Sequence, residues 1–457
     1  MRRLVIVLSV AVLAAGSAVP AYADDQPASY GGGGGGLGRP LEGFAPQSTV
    51  LGEGTPASVG LDPAPIDAVL AQLRGWLAPG PRFPVPLYGG QVTLLAHNGI
   101  IVTRDAAGWS RKYADKAGTE LPADQRVAMT DDTIFDLASV SKLFTSIIVM
   151  QEIEAGRIDL DEKVAHYIHE YAENGKAEIT VKALLTHTSG MQSFRALWRE
   201  QPDPASRIHA VLTSTLSRPP DTAYLYSDLN LITLGVLVER LRGSPLDKLV
   251  RERITGPLGM VDTGYNPDPS VVGRTAATEF ETDPPRGMVR GSVHDENAWS
   301  LGGVAGHAGV FSTAADLAIL CQMILNGGNY NGARILAPQT VTAMITNHNA
   351  AYPGNDHGLG FEINQAYMGG LAGPHTVGHT GFTGTSLVID FRSRSFAILL
   401  TNRVHPDRAW TSPPGGPNMI NFPREDVATA LARALGCARG TAARRGSPDR
   451  GTPGPRP

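Results

Sequence analysis

The sequence is poor in cysteine, in aromatic residues and in charge. Its 457 residues include only two cysteines, Cys321 and Cys437, which excludes a disulfide-rich scaffold. Neither has a paired base or metal-type spacing, so we expect neither to be catalytic, and the sequence leaves open whether they pair. Aromatic residues make up 6% and charged residues 18%, and the net charge is -4. The chain therefore has no basic stripe, and we expect no nucleic-acid partner.

The N-terminal apolar run, residues 4–15, is shorter than the ~20 residues that a membrane-spanning helix needs. Two arginines precede it, and residues 21–23 form the small-x-small site that signal peptidase cuts. We therefore predict a signal peptide over residues 1–23, cleaved between Ala23 and Asp24. The mature protein would be secreted, with no stable membrane insertion. An uncleaved N-terminal anchor is the alternative.

Two segments of low complexity flank a long central body. Residues 24–47 contain an unbroken glycine run and are predicted to be a linker. Residues 438–457 consist largely of Arg, Gly, Pro, Ser and Thr without apolar periodicity, so we predict a disordered tail. Residues 48–437 are long enough for a large core and are predicted to form one domain.

Strand signals lie at both ends of the body and helix signals lie between them. Alternating residues around Asn98 and Gly99 predict a first hairpin, and residues 386–401 predict a second. Residues 158–258 have helical periodicity with Gly and Pro breaks, including a helix over 161–171, and residues 425–435 predict a closing helix. We therefore predict an α+β fold, with an antiparallel sheet built from both termini, flanking helices and an inserted, mainly helical lobe.

Ser139 and Lys142 form a Ser-x-x-Lys motif at the start of a predicted helix over residues 140–155. Residues three apart share one face of a helix, so the ammonium can reach the hydroxyl. A desolvated lysine near other cations can have its pKa lowered enough to accept the serine proton. The motif alone is common, and an ordinary helix surface is the alternative interpretation.

Two further elements follow in order, Tyr226-Ser227-Asp228 before a helix and His379-Thr380-Gly381 before the last strands. Taken singly, Tyr226 could be a core aromatic and Asp228 a helix N-cap. Together with Ser-x-x-Lys, they resemble the active-site triplet of the serine β-lactamase/DD-peptidase superfamily, which includes the penicillin-binding proteins. The stretches 135–142, 184–190 and 378–384 resemble its class C β-lactamase-related branch, with D-aminopeptidases and β-lactamase-like esterases. The resemblance covers about residues 60–403.

The resemblance implies a β-lactamase/transpeptidase-like fold and an acyl-enzyme mechanism without a cofactor. Ser139 would attack a carbonyl and Lys142 would take part in proton transfer. Tyr226, with its pKa lowered by adjacent cations, would act as the base. The backbone amides of Ser139 and Phe382 would form the oxyanion hole, with Phe382 just after residues 379–381 on the edge strand. The implied substrate-binding residues are Asp228, His379, Thr380 and Gly381.

This chain departs from the superfamily pattern at two positions. Asp228 replaces the usual Asn, so a donor becomes an acceptor, and His379 replaces the Lys that efficient β-lactamases prefer. We therefore predict an exported serine hydrolase acting on amides or esters, either cell-wall-derived peptides and peptidoglycan fragments or small esters. A true β-lactamase and an inactive penicillin-binding-like sensor are the alternatives. The sequence leaves the oligomeric state open.

Three other histidines are not assigned to the catalytic machinery. The segment 294–297, His-Asp-Glu-Asn, and His307 suggest a metal site, but neighbours in an extended segment diverge and the glycine-rich loop 302–309 should be too flexible to preset ligands. We therefore expect no metal there and assign the segment to the substrate rim. His187 is expected to satisfy the turn at residues 188–190.

Overall fold

The computed structural model describes residues 43–412 and 418–436. The predicted signal peptide, most of the linker, the tail and Cys437 lie outside these residues. Within them, no helix is long and apolar enough to cross a membrane. The folded body begins by Phe44, earlier than the predicted residue 48, because the Phe44 ring packs edge-on against Phe391 and Ala45 is buried.

The main sheet has eight strands, and its two central hairpins come from opposite ends of the body. The strands of the described residues are β1 (Gly52–Glu53), β2 (Gly90–His97), β3 (Ile100–Arg111), β4 (Val127–Ala128), β5 (Phe135–Asp136), β6 (Gly264–Tyr265), β7 (Ala277–Glu281), β8 (Gly287–Arg290), β9 (Val310–Ser312), β10 (Asn329–Tyr330), β11 (Ala333–Arg334), β12 (Glu362–Ile363), β13 (Thr376–Thr380), β14 (Ser386–Asp390) and β15 (Ser395–Thr401).

The order in the main sheet is β1-β3-β2-β15-β14-β13-β12, with β4 paired onto β3. The antiparallel pair β2 and β15 joins the N-terminal hairpin to the C-terminal hairpin, which confirms a sheet built from both ends. Only the two-residue edge strand β1 pairs in parallel, so the sheet is mixed. Three small sheets, β5-β9-β6, β7-β8 and β10-β11, lie outside it.

Helices cover both faces of the sheet. The helices of the described residues are α1 (Pro63–Gly75), α2 (Ser141–Glu154), α3 (Val164–Tyr167), α4 (Val181–Leu185), α5 (Leu197–Glu200), α6 (Pro204–Leu212), α7 (Asp228–Arg242), α8 (Leu246–Val250), α9 (Gly256–Leu258), α10 (Glu296–Ser300), α11 (Ala314–Leu325), α12 (Pro338–Ile345) and α13 (Asn421–Ala434). On one face of the sheet α1 and α13 pack together, while α11 packs on the other face.

The two layers explain the pattern of β2. Its residues Val92, Leu94 and Ala96 point into the larger core, while Leu95 points into the core under α1 and α13. Because helices cover both faces, β14 and β15 are buried along their whole length. The sheet is therefore a rigid support for residues at the ends of its strands.

One predicted helix is wrong. Residues 161–171 do not form a continuous helix: α3 is four residues long, and a 3-10 segment, His169–Gly175, follows it. Ile168 has an extended conformation between the two segments. The closing helix α13 also starts at Asn421, earlier than the predicted residue 425. Helical periodicity in short segments does not reveal such breaks.

Helix α2 passes through the centre of the helical lobe, and its residues from Ser141 to Ile153 are all buried. Phe144 is 0% exposed. We predict that Phe144→Ala lowers the free energy of unfolding by about 3–5 kcal/mol, because it removes buried surface and leaves a cavity. Urea denaturation measures this, with Val261→Ala, at a residue 88% exposed, as the control. Equal unfolding midpoints for the two variants would contradict the central position of α2.

Candidate active site

Ser139 lies where a short strand turns into the buried helix α2. β5 ends at Asp136, a 3-10 turn covers Ala138–Val140, and α2 begins at Ser141. Ala138 has φ of 47°, in the left-handed region that strains an alanine. The Ala138 amide donates to Asp136 Oδ1 at 2.8 Å, which stabilises this turn. The chain therefore presents the serine at a helix start, as its sequence predicted.

Lys142 lies one helical turn from the serine and is 1% exposed. Its Nζ donates to Ser139 Oγ at 2.9 Å and to the His307 carbonyl at 3.1 Å, and it forms an ion pair with Asp228 Oδ1 at 2.8 Å. Burial alone would lower the pKa of Lys142, but Asp228 and Tyr226 outweigh burial and hold this pKa well above its ordinary value. The expectation of a lowered lysine pKa is therefore wrong, and Lys142 is a cation.

Tyr226 lies between Lys142 and a histidine. Its ring centroid is 4.9 Å from Lys142 Nζ and 4.6 Å from the centroid of the His187 ring. Burial raises the pKa of Tyr226 to about 12, while Lys142 and Ser139 act in the opposite direction and Asp228 raises it further. The prediction of a lowered pKa for Tyr226 is wrong, because burial and Asp228 outweigh the cation.

Asp228 is the first residue of α7, and Ser227 rather than Asp228 is the N-cap residue. The Asp228 side chain points to Lys142 instead of capping the helix. His187 is structural, as expected, but with a different partner: the Ser227 amide donates to its Nδ1 at 3.1 Å. Burial holds the pKa of His187 well below its ordinary value, so the ring is neutral and accepts this bond.

The third element lies at the end of β13 and approaches the serine turn closely. A Cβ on Gly381 would lie 2.3 Å from the Leu137 carbonyl oxygen, so only glycine fits there. β13 is not the edge strand that the sequence suggested, because β12 pairs with it at Val377 and Gly378. The pairing with β12 stops at Gly378, so His379 and Thr380 at the end of β13 have no strand partner on that side.

His379 is 1% exposed, and its ring centroid is 6.3 Å from that of Tyr226. Its Nδ1 lies 2.8 Å from the Thr380 carbonyl, so Nδ1 carries the proton and Nε2 is an acceptor. Nε2 has no hydrogen-bond partner among the described residues. Burial, assisted by Lys142, lowers the pKa of His379 to about 3, so the ring is neutral. Thr380 therefore fixes the histidine orientation rather than presenting its carbonyl to the cleft.

The predicted oxyanion donors have free amides. Phe382 follows β13 in a turn, and its amide donates to no backbone atom of the described chain. The Ser139 amide lies in the first turn of its helix, where amides have no intrahelical acceptor. Their joint action on a substrate oxygen stays a prediction.

Sequence reasoning missed three groups around this site. Asp136 lies in the stretch 135–142 but had no predicted role, although its Oδ2 accepts the His294 amide at 2.6 Å. The buried His307 pairs with the half-buried Asp295, with 2.8 Å between Nε2 and Oδ1, directly beside Asp228. No local pattern signals such pairs, because their members come from separate loops.

The premise that residues 294–307 cannot converge is wrong. Ligand atoms of Asp228, Asp295 and His307 lie within 4.8 Å of one another, and so do those of Glu279, Glu281 and His294. In the first group Lys142 already pairs with Asp228. In the second, charged partners already contact both carboxylates: Arg408 is paired with Glu279 and Arg286 with Glu281. Ammonium and guanidinium groups therefore occupy the positions where a metal would supply charge.

Comparison with known proteins identifies the family. The sequence model described as Beta-lactamase matches residues 88–413, well over half of the chain. The chain belongs to the Beta-lactamase family. A relative from Escherichia coli O157:H7, named "Putative D-alanyl-D-alanine carboxypeptidase", is 33% identical over 379 residues, which cover 75% of this chain and 84% of the relative.

Solved structures confirm the fold of this Beta-lactamase family member. A penicillin-binding protein homologue from Caulobacter crescentus superposes with a TM-score of 0.61 at 20% identity, covering 82% of this chain and 98% of the homologue. EstCE1, described as a hydrolase with promiscuous acyltransferase activity, superposes with a TM-score of 0.60 at 19% identity, covering 79% and 99%. The chain is a serine hydrolase with the β-lactamase/transpeptidase-like α+β fold.

The electrostatics of the site predict a pH effect of Asp228→Asn. The Asp228 carboxylate raises the pKa of Tyr226, so its neutralisation should lower that pKa. If the phenolate accepts the serine proton, labelling of Ser139 by a fluorophosphonate should become faster at each pH between about 6 and 10, and its rising limb should shift to lower pH.

Asp67→Asn, at an exposed carboxylate on α1, is the matched control and should follow the unmodified protein. Labelling that is equally fast or slower in Asp228→Asn across the whole range would contradict this assignment of the base.

Proposed function

We propose that the protein is an exported acyl-transfer hydrolase that cleaves amides or esters through an acyl-enzyme on Ser139. The observation that carries this proposal is the contact of the Lys142 ammonium with both Ser139 Oγ and Asp228, beside Tyr226. Export rests on the signal-peptide pattern of residues 1–23. The substrates that we propose are cell-wall-derived peptides, peptidoglycan fragments or small esters.

In the proposed reaction, Tyr226 first loses its own proton to solvent, and Ser139 Oγ then forms a bond to the substrate carbonyl carbon while its proton moves to the resulting phenolate. The carbonyl oxygen becomes an oxyanion that the amides of Ser139 and Phe382 stabilise. When the tetrahedral intermediate collapses, the bond to the amine or alcohol breaks and Tyr226 returns the proton to that leaving group. Water then attacks the acyl-enzyme in the same way and releases the acid.

The charges of the site support this division of roles. Lys142 is paired with an anion and stays protonated, so it cannot accept the serine proton itself. As a cation it stabilises a phenolate on Tyr226 and donates a hydrogen bond to the nucleophile. These charges therefore support Tyr226, rather than Lys142, as the base.

The proposed substrate class rests on His379. A neutral ring with a free Nε2 acceptor offers no positive charge to a carboxylate, whereas β-lactams and peptides with a free C-terminus both carry one. Among the proposed substrates, this favours small esters and peptides with an amidated C-terminus over peptides with a free carboxylate, and it lowers the rank of a true β-lactamase. An inactive sensor is also less well supported, because the hydrogen bond from Lys142 to Ser139 is intact.

The first experiment concerns the nucleophile. We expect Ser139→Ala to lose fluorophosphonate labelling and to lower the hydrolysis of p-nitrophenyl esters by at least about 10³-fold, because no other group takes the role of the serine. Intact-protein mass spectrometry and initial rates measure this. Ser58→Ala, at an exposed serine, is the control. Unchanged turnover in Ser139→Ala would refute the enzyme proposal.

The second experiment concerns the carboxylate. We expect the unmodified protein to cleave an acyl-D-Ala-D-Ala peptide with an amidated C-terminus at least as well as the free acid. A charged hydrogen bond contributes about 1.5–3 kcal/mol, so His379→Lys should shift the ratio of kcat/KM towards the acid by about 10-fold or more.

His375→Lys, which adds the same charge at an exposed position near β13, is the matched control and should leave the ratio unchanged. A strong preference of the unmodified protein for the free acid, unaffected by His379→Lys, would contradict this account of the subsite.

A further inference from the structure

Phe382 is an exposed aromatic residue whose ring is nevertheless held by its neighbours. Phe382 is 42% exposed and lies at the surface of the candidate site. The guanidinium carbon of Arg403 lies 4.3 Å from the ring centroid, and that of Arg408 lies 5.4 Å away. The His294 ring stacks on it, with 5.6 Å between centroids and 21° between planes. Cation-π and stacking contacts therefore fix a ring that solvent exposure alone would leave mobile.

Arg403 holds the backbone of the same turn. Its Nε donates to the Phe382 carbonyl at 2.5 Å, and its own amide donates to the Thr383 carbonyl at 3.1 Å. Its Nη1 donates to the hydroxyls of Thr411 and Ser412 at 3.1 and 2.9 Å. Arg403 is only 1% exposed, and its Nη2 has no partner among the described residues. An arginine is seldom buried without an ion pair, so its place behind this turn calls for a specific role.

His294 is held from the opposite side by charged groups. Its Nε2 lies 2.8 Å from Glu279 Oε2, which also accepts from Arg408 Nε at 2.5 Å. Arg408 Nη2 donates to Glu296 Oε1 at 2.7 Å. These charged contacts join His294 and Arg408 in one cluster, and both residues contact the Phe382 ring.

The same cluster is tied to the serine turn through Asp136. One carboxylate oxygen of Asp136 accepts the His294 amide at 2.6 Å, and the other accepts the Ala138 amide at 2.8 Å. The Asp136 carbonyl accepts from Thr383 Oγ1 at 2.7 Å. Thus the turn before Ser139 and the turn that carries Phe382 share one hydrogen-bonded support.

We propose that Arg403 and His294 are positioning residues, which hold the Phe382 amide in register with the Ser139 amide so that both donate to the oxyanion. This rests on the proposed acyl-enzyme function. Neither side chain touches the reacting atoms; both act through Phe382. An oxyanion hole works only if its donors are fixed before charge develops, since reorganising them would consume the energy that they supply. The segment 294–297 thereby gains a role that its sequence had suggested only as a substrate rim.

The test compares KM for a substrate with the inhibition constant of a transition-state mimic. A phenylboronic acid adds Ser139 Oγ to boron, with loss of the hydroxyl proton, and gives a tetrahedral adduct whose oxygen occupies the oxyanion position. We expect His294→Ala and Arg403→Met to lower kcat and to raise the inhibition constant of the boronic acid, each by about 10–100-fold. KM for a p-nitrophenyl ester should change less than about twofold.

His294→Phe retains a stacking ring without the bond to Glu279, so it should restore most of the loss seen in His294→Ala. Val404→Ala removes a fully buried side chain next to Arg403 and is the control for general destabilisation. We expect Val404→Ala to lower the melting temperature without the selective change in kcat and in the boronic acid inhibition constant, relative to KM, that the test variants should show.

Several outcomes would overturn the proposal. One is an unchanged boronic acid constant in both His294→Ala and Arg403→Met. Another is a parallel change of kcat, KM and melting temperature that matches Val404→Ala, since this indicates packing alone. If the unmodified protein neither binds the boronic acid nor labels at Ser139, the acyl-enzyme function itself fails, which is a distinguishable result.

Discussion

Lys142 carries a positive charge into a part of the molecule that is almost closed to solvent. An ammonium in such a place costs several kcal/mol unless anions and acceptors surround it. Its three partners come from three places in the chain: Ser139 from the turn before α2, Asp228 from the start of α7, and the His307 carbonyl from a glycine-rich loop. The charge is therefore stabilised only where these three segments meet, so the site depends on the assembled fold.

The sheet contributes to the same point from the other side. The chain segments before Ser139 and after β13 are bonded to each other, because Thr383 Oγ1 donates to the Asp136 carbonyl and Thr385 Oγ1 to the Leu137 carbonyl. Gly381 allows the two backbones to approach without a Cβ between them. The C-terminal hairpin thus brings His379 and Phe382 to a serine that lies more than 200 residues earlier in the sequence.

Local signals predicted the parts of this structure that depend on neighbouring residues. Asn98 and Gly99 predicted a tight turn because both adopt positive φ readily, and both do so here. The apolar residues after Ser139 predicted α2 as a buried helix, and α2 is buried on all sides, although it also buries polar residues such as Ser146 and Gln151. The same reasoning was wrong for residues 161–171, where an extended residue breaks the helix without a glycine or proline to signal it.

The sequence by itself determined the α+β class, the order of the three motif elements and the residue types that carry the chemistry, because these follow from periodicity and from motif spacing. Only the tertiary structure decided the charge states. A pKa depends on which groups face each other across the fold, so the pairing of Asp228 with Lys142 and the burial of Tyr226 reversed the expected shifts. For the same reason it was the folded chain that placed His294, Arg403 and Asp136 around Phe382, since their contacts join loops that no local pattern connects.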